Sequence, residues 1–156
     1  MRLKFVFIGR TRKPYLAQGV SELLGRINHY LPAEEIVIKE RKASSGKDEV
    51  KIRSKDTTRL LARIKPEDTL VILAPGGSSM TSIELAEWIK DQMDRGVKSI
   101  AFGLGGPLGL DTAAEMSADL LLSLSPMTFT HEMARLILLE QVYRALSINF
   151  GHPYHK

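Results

Sequence analysis

Apolar runs alternate with stretches of helical spacing along the whole chain, and that alternation leaves few folds open. Arg2 to Ile8 mixes basic and apolar residues before turning wholly apolar, as a strand entering a core does, and Gly9 ends it. Pro14 suits a first helical turn, and Leu16, Val20, Leu23, Leu24 and Ile27 then recur at helical spacing up to Asn28. Glu35 to Lys39 is a short β-branched run, Ala43-Ser44-Ser45-Gly46 a mobile loop, and Val50 to Ile64 a charged helix. Asp68 to Ala74 is the clearest buried strand, ended by Pro75-Gly76-Gly77-Ser78-Ser79. Thr81-Ser82-Ile83-Glu84 matches a capping box, and the helix it opens runs to about Arg95. Ser99 to Leu104 is a fourth strand, Asp111 to Met116 a short helix, Asp119 to Leu124 a fifth strand, and Thr130 to Ile148 the last helix. Strand and helix in strict turn predict an α/β fold, a parallel sheet flanked by helices.

At 156 residues this is the length of one domain, spanning 1–156, with room for one substantial core. The absence of cysteine removes disulfides, thiolate ligands and thiol nucleophiles together, as is usual in a cytosolic protein. The N-terminus lacks the long apolar run of a signal peptide, and no run approaches a membrane span, so the expectation is a soluble, cytoplasmic chain without a membrane partner. The formal charge is +4, and it is unevenly spread. Between Lys39 and Lys65 ten Lys or Arg face four acids. Such a segment either grips a phosphate backbone or is a solvated helix face.

In a parallel α/β sheet, ligands bind beyond the carboxyl ends of the strands. Three loops fall there, Pro75 to Ser79, Gly103 to Gly109 and Ser125 to Thr130. The second holds four glycines and a proline, so backbone can come close to whatever binds. A dinucleotide fingerprint fails because its third glycine falls on Leu108, and no acid ends the next strand to hold a ribose. No Gly-Lys-Ser/Thr of a P-loop and no Gly-x-Ser-x-Gly elbow occurs. His152 and His155 stand three apart without further ligands clustered beside them, and His131-Glu132 lacks the second histidine of a zincin, so no metal site is expected. The last helix is apolar nearly all round, with Leu136-Ile137-Leu138-Leu139 in succession, which calls for cover on two sides. The sheet supplies one, and a second copy in a homodimer is expected to supply the other. The tail Phe150-Gly151-His152-Pro153-Tyr154-His155 either folds back over something or frays.

Four stretches together resemble the SPOUT-class rRNA methyltransferases of the small H type, which methylate N3 of a pseudouridine in 23S rRNA. They are Gly105-Gly106-Pro107, Ser125-Pro126-Met127-Thr128-Phe129-Thr130-His131, Glu140-Gln141-Val142-Tyr143-Arg144-Ala145 and His152-Pro153-Tyr154-His155. The resemblance covers nearly the whole chain. It implies a C-terminal trefoil knot, which general rules of chain topology would exclude. It also implies S-adenosylmethionine in that knot, held by backbone around Leu73, Gly105 and Gly106 and by the loop Leu124, Ser125, Pro126, Met127, Thr128, Phe129 and Thr130. A homodimer through the last helix and a 23S rRNA or ribosomal partner follow from the same resemblance. Arg144 is then the expected stabiliser of a phosphate or carbonyl oxygen, and Tyr154 and His155 the expected proton acceptors or relays. Two places depart from the family's pattern: Leu108 stands where an acid often follows Gly-Gly-Pro, and Ala74 and Ser78 replace an Asp and a Lys. The alternative reading is a non-enzymatic RNA- or ribosome-binding protein that keeps the fold.

Overall fold

A computed structural model describes residues 1–41 and 48–152. Its elements are β1 (Arg2–Ile8), α1 (Pro14–Ile27), β2 (Ala33–Ile38), α2 (Glu49–Leu61), β3 (Asp68–Ser79), α3 (Ser82–Asp94), β4 (Ser99–Leu104), α4 (Thr112–Ser117), β5 (Leu120–Ser123) and α5 (His131–Asn149). The loop expected at 43–46 and the tail beyond His152 lie outside the described residues. The five strands form one parallel sheet in the order β2-β1-β4-β3-β5. β4 is thus inserted between β1 and β3, which both precede it in the chain, and β5 is added outside β3.

β1 is buried on both faces, which is why it reads as a near-continuous apolar run. Leu3, Phe5 and Phe7 join the core shared with α1, α3 and α5, and the Phe5 ring stacks on Phe102 with centroids 5.4 Å apart. Val6 and Ile8 point the other way, among Leu60, Leu70, Ile72 and Ala114 beneath α2 and α4. The capping box at α3 forms as its spacing predicts, with Glu84 N–H donating to Thr81 Oγ1 at 3.2 Å and Thr81 N–H to Glu84 Oε2 at 2.6 Å.

Two expectations change. β3 does not stop at Ala74 but continues to Ser79, so Pro75 to Ser79 is not a simple loop into a helix. Leu73 and Ser78 both pair with Leu122, and the residues between them arch out of the ladder as an irregularity of the bulge kind. Gly77 makes this return possible, because a Cβ there would lie 2.7 Å from the Leu121 carbonyl carbon. Proline and two glycines read as a turn in sequence, yet here they let one strand fold back against its neighbour. β2, likewise, begins at Ala33 rather than Glu35. No residue of α5 from His131 to Asn149 is fully exposed, and α1 and α3 of the same chain pack against it. Much of the cover that the sequence assigns to a second copy is therefore supplied within one chain.

Candidate functional site

The glycine stretch is built as a tight turn at the end of β4. Gly103 and Leu104 still belong to the strand, and Gly106-Pro107-Leu108-Gly109 then closes on itself, with Gly109 N–H donating to Gly106 O at 2.9 Å. Gly109 has φ of +73°, where a side chain would be strained. Gly105 lies so close beneath the turn that an added Cβ would stand 2.7 Å from the Gly109 carbonyl carbon. Next to it, the loop after β5 is braced by its own hydroxyls: Ser125 Oγ accepts from Met127 N–H at 3.0 Å, and Thr130 Oγ1 caps α5 by accepting from Met133 N–H at 3.3 Å.

These two loops and the arch of β3 enclose a cavity of about 640 Å³. Its floor is apolar, formed by Ile72, Leu73, Leu104, Leu110 and Leu122, and Gly105, Gly106 and Gly109 present bare backbone to it. Leu124, Ser125, Met127, Thr128, Phe129 and Thr130 form the opposite wall. Pro126 belongs to that loop but does not line the cavity. A volume of this size suits a small organic ligand, and the apolar floor favours an aromatic or alkyl body over a free phosphate.

Sequence reasoning missed the loop after β1. Lys13 reaches the cavity, as do His131 and Glu132 at the start of α5. The rule that ligands sit at carboxyl ends of strands applies to β1 as well, and the run Arg10-Thr11-Arg12-Lys13 carried the signal. Glu132 Oε2 accepts from the backbone N–H of Arg12 at 2.9 Å and of Lys13 at 3.1 Å, and these bonds hold its carboxyl below the ordinary range. Burial pushes the His131 imidazole down, and neighbouring Arg135 adds to this, which favours the neutral ring. One turn further along, the Arg135 side chain is wholly buried, with Nη2 donating to Ile8 O at 2.6 Å and Nη1 to Thr11 Oγ1 at 3.1 Å.

Of the expected catalytic residues, only Arg144 is among the described ones, and it does not line this cavity within one chain. Arg144 sits on α5 and donates to Glu140 Oε1 through Nε at 3.0 Å and Nη2 at 2.5 Å. Fourteen residues of helix, about 20 Å, separate it from the Thr130 wall. Tyr154 and His155 lie outside the described residues. What is seen is the root of the tail: His152 Nδ1 and Tyr30 Oη are 2.6 Å apart, and the Tyr30 ring packs tilted among Tyr143, Phe150 and His152.

A family model described as "Predicted SPOUT methyltransferase" matches residues 1–155. The chain belongs to this family. The SPOUT fold is knotted, and the late insertion of β4 and the placing of β5 outside β3 agree with that architecture. Among curated relatives, "Ribosomal RNA large subunit methyltransferase H" of Solidesulfovibrio magneticus is 40% identical over 153 residues, 98% of this chain and 97% of that one. The protein of the same name from Clostridioides difficile is 40% identical over 159 residues, the full length of both. Among solved structures, the crystal structure of a probable methyltransferase from Bordetella pertussis Tohama I superposes with a TM-score of 0.57. It covers 93% of this chain and 96% of its own at 16% identity, which is likeness of fold. No helix of the described residues of this SPOUT methyltransferase is long and apolar enough to cross a membrane.

Proposed function

We propose that this SPOUT methyltransferase transfers the methyl group of S-adenosylmethionine to N3 of a pseudouridine in 23S rRNA, on the ribosome and hence in the cytoplasm. The observation that carries the reading is the glycine-floored cavity, on a chain about 40% identical over its full length to relatives named rRNA large subunit methyltransferase H. The residues fit the cofactor: its flat adenine ring suits the apolar floor, and the bare backbone of Gly105, Gly106 and Gly109 offers polar groups to its ribose and charged amino-acid end. Leu73, Gly105, Gly106 and the segment Leu124 to Thr130 would hold it, and it supplies an electrophilic methyl on a sulfonium. The protein's own part is to orient the acceptor base, keep water out and favour the deprotonated imide, a positioning effect worth several kcal/mol.

Reach favours two copies in this reading. Ile137, Glu140 and Arg144 fall at helical spacing on one half-buried side of α5. Through that face, Arg144 of the partner subunit would approach a cavity that the chain's own Arg144 does not line. Tyr154 and His155 are proposed as proton acceptors or relays in the same composite site. Sedimentation is expected to give a dimer of about twice 17.4 kDa, and a monomer at micromolar concentration would remove this part of the reading.

Titration calorimetry with S-adenosylmethionine, followed by transfer of labelled methyl to ribosomes lacking the modification, tests the activity. Heat of binding and label incorporated only where the ribosome carries pseudouridine are expected. No heat and no label would leave a non-enzymatic RNA-binding module. Label on ribosomes without pseudouridine would move the acceptor elsewhere.

A further inference from the structure

The sequence places the strongest positive charge on 39–65, but none of the described residues of that segment lines the cavity, and part of the charge is spent internally. Arg59 Nη1 donates to Lys39 O at 2.8 Å and contacts Asp56 Oδ1 at 3.3 Å. The cation at the cavity is instead Lys13, and Arg10 and Arg12 stand exposed in the same four-residue run between β1 and Pro14. Lys13 itself lines the opening. Tyr15 follows at 62% exposed, and Met127 and Phe129 stand out from the opposite wall at 73% and 39%. Large apolar groups left in water around a cavity mouth ask for a partner with flat faces, and cations among them ask for an anionic one.

The loop is held ready rather than left to find its shape on binding. Helix α1 begins without a side-chain cap of its own. The free N–H groups of Arg12 and Lys13 are taken by Glu132, from the helix that begins where the cavity wall ends. Arg135 ties Ile8 and Thr11 from below and lies over the Phe7 ring, 5.2 Å from its centroid. Its Nε has no hydrogen-bond partner among the described residues, so the buried cation is retained at a cost. The acids nearby are engaged: Glu132 by the loop backbone and Glu40 by Arg12 at 3.0 Å, while Glu35 is half-buried with its carboxyl pushed up by burial. Glu115 lines the far side of the cavity. Arg10 and Lys13 have no ion pair among the described residues.

Resting on the rRNA reading above, we propose that the loop Arg10–Lys13 is the phosphate grip for the RNA strand whose target nucleotide enters the cavity, with Tyr15, Met127 and Phe129 as stacking surface for the flanking bases. A nucleotide entering the cavity leaves its 5′ and 3′ phosphates at the rim, where Lys13 stands, with exposed Arg10 three residues before it in the same loop. The loop and the cavity wall share α5 as their support, so the grip and the methyl-accepting position keep a fixed spacing.

The test compares Arg10→Gln/Lys13→Gln with Lys51→Gln/Lys55→Gln on the exposed side of α2, using large ribosomal subunits lacking the modification and free S-adenosylmethionine as separate ligands. Loss of two phosphate contacts should reduce the slope of log affinity against log salt by about 1.4 to 1.8 and weaken subunit binding roughly tenfold or more at 0.1 M salt. Affinity for S-adenosylmethionine should change less than about threefold, and the α2 variant should keep the wild-type slope. An unchanged slope in the loop variant, a slope lost only in the α2 variant, or an equal loss of S-adenosylmethionine and subunit affinity would each overturn the proposal. A wild-type protein that binds subunits through this loop but transfers no methyl would uphold the grip and refute the enzymatic reading.

Discussion

Gly105→Ala is expected to lower methyl transfer, read as kcat/KM, by about 100-fold and to abolish measurable binding of S-adenosylmethionine in the same protein. The new Cβ would stand 2.7 to 3.0 Å from three backbone atoms of Gly109, and backbone cannot rotate out of the way as a side chain does. The turn Gly106 to Gly109 must therefore move. Moving it costs about 1–3 kcal/mol of overpacking, and it takes the cavity floor with it. A displacement on the order of 1 Å at a reacting position is enough for a 100-fold loss. Gly76→Ala is the control, because nothing lies within 4 Å of a Cβ there although the same arch borders the cavity. That variant should bind and melt like the parent. If Gly105→Ala bound the cofactor normally, the floor assigned to the cavity would be wrong.

That floor was legible in the sequence because glycines as dense as those from Gly103 to Gly109 disfavour both helix and strand interiors and suit a close backbone approach. The alternation of apolar runs was enough for the element order as well, since each strand of a parallel sheet buried on both faces must be apolar throughout. Order of strands was not legible. Nothing local in Ser99 to Leu104 says that it inserts between β1 and β3, because that choice is made by long-range packing of Phe102 on Phe5 and of α5 against α1 and α3. The knot could enter only through resemblance to a family.

The arch of β3 shows a different failure. Pro75-Gly76-Gly77 is chemically a turn, and local rules read it so, but the contact that decides its shape is with the Leu121 and Leu122 backbone more than forty residues on. The cationic loop after β1 was overlooked for a related reason. Counting charge over a long window favoured 39–65, whereas proximity to the cavity depends on Glu132 and Arg135, which are distant in sequence and adjacent in space. Nothing local in the sequence marks Arg135, and its burial is visible only when Ile8 and Thr11 are placed beside it.

The largest loss of stability is expected at the opposite end of the sheet, from Lys4→Met. Lys4 Nζ donates to both oxygens of Asp68, at 2.9 and 2.8 Å, where β1, β3 and β4 begin. Ser99 Oγ and the Lys65 N–H complete the shell of the carboxylate, and both charged residues are 7% exposed. Removing one partner of a buried pair costs about 3–5 kcal/mol, which at this chain length lowers Tm by roughly 6–20 °C. The pH dependence gives the cause. Burial alone would raise the Asp68 carboxyl, but in the parent the hydrogen bonds from Lys4, Ser99 and Lys65 outweigh it and hold the group below the ordinary carboxylate range. The parent therefore has this stabilisation in full above its unfolded value and loses it as pH falls through the lower folded one. In Lys4→Met burial prevails, the carboxyl rises, and taking up a proton relieves the variant. Denaturant unfolding at pH 7 and pH 4 should show the gap between the two proteins shrinking on acidification. A gap that stays constant, or one below about 1 kcal/mol at pH 7, would mean that the pair is not the buried charge pair described. Because five residues of β4, about 17 Å, separate Ser99 from the cavity floor, the folded variant should still bind S-adenosylmethionine at 10 °C with parental affinity, losing stability without losing the site.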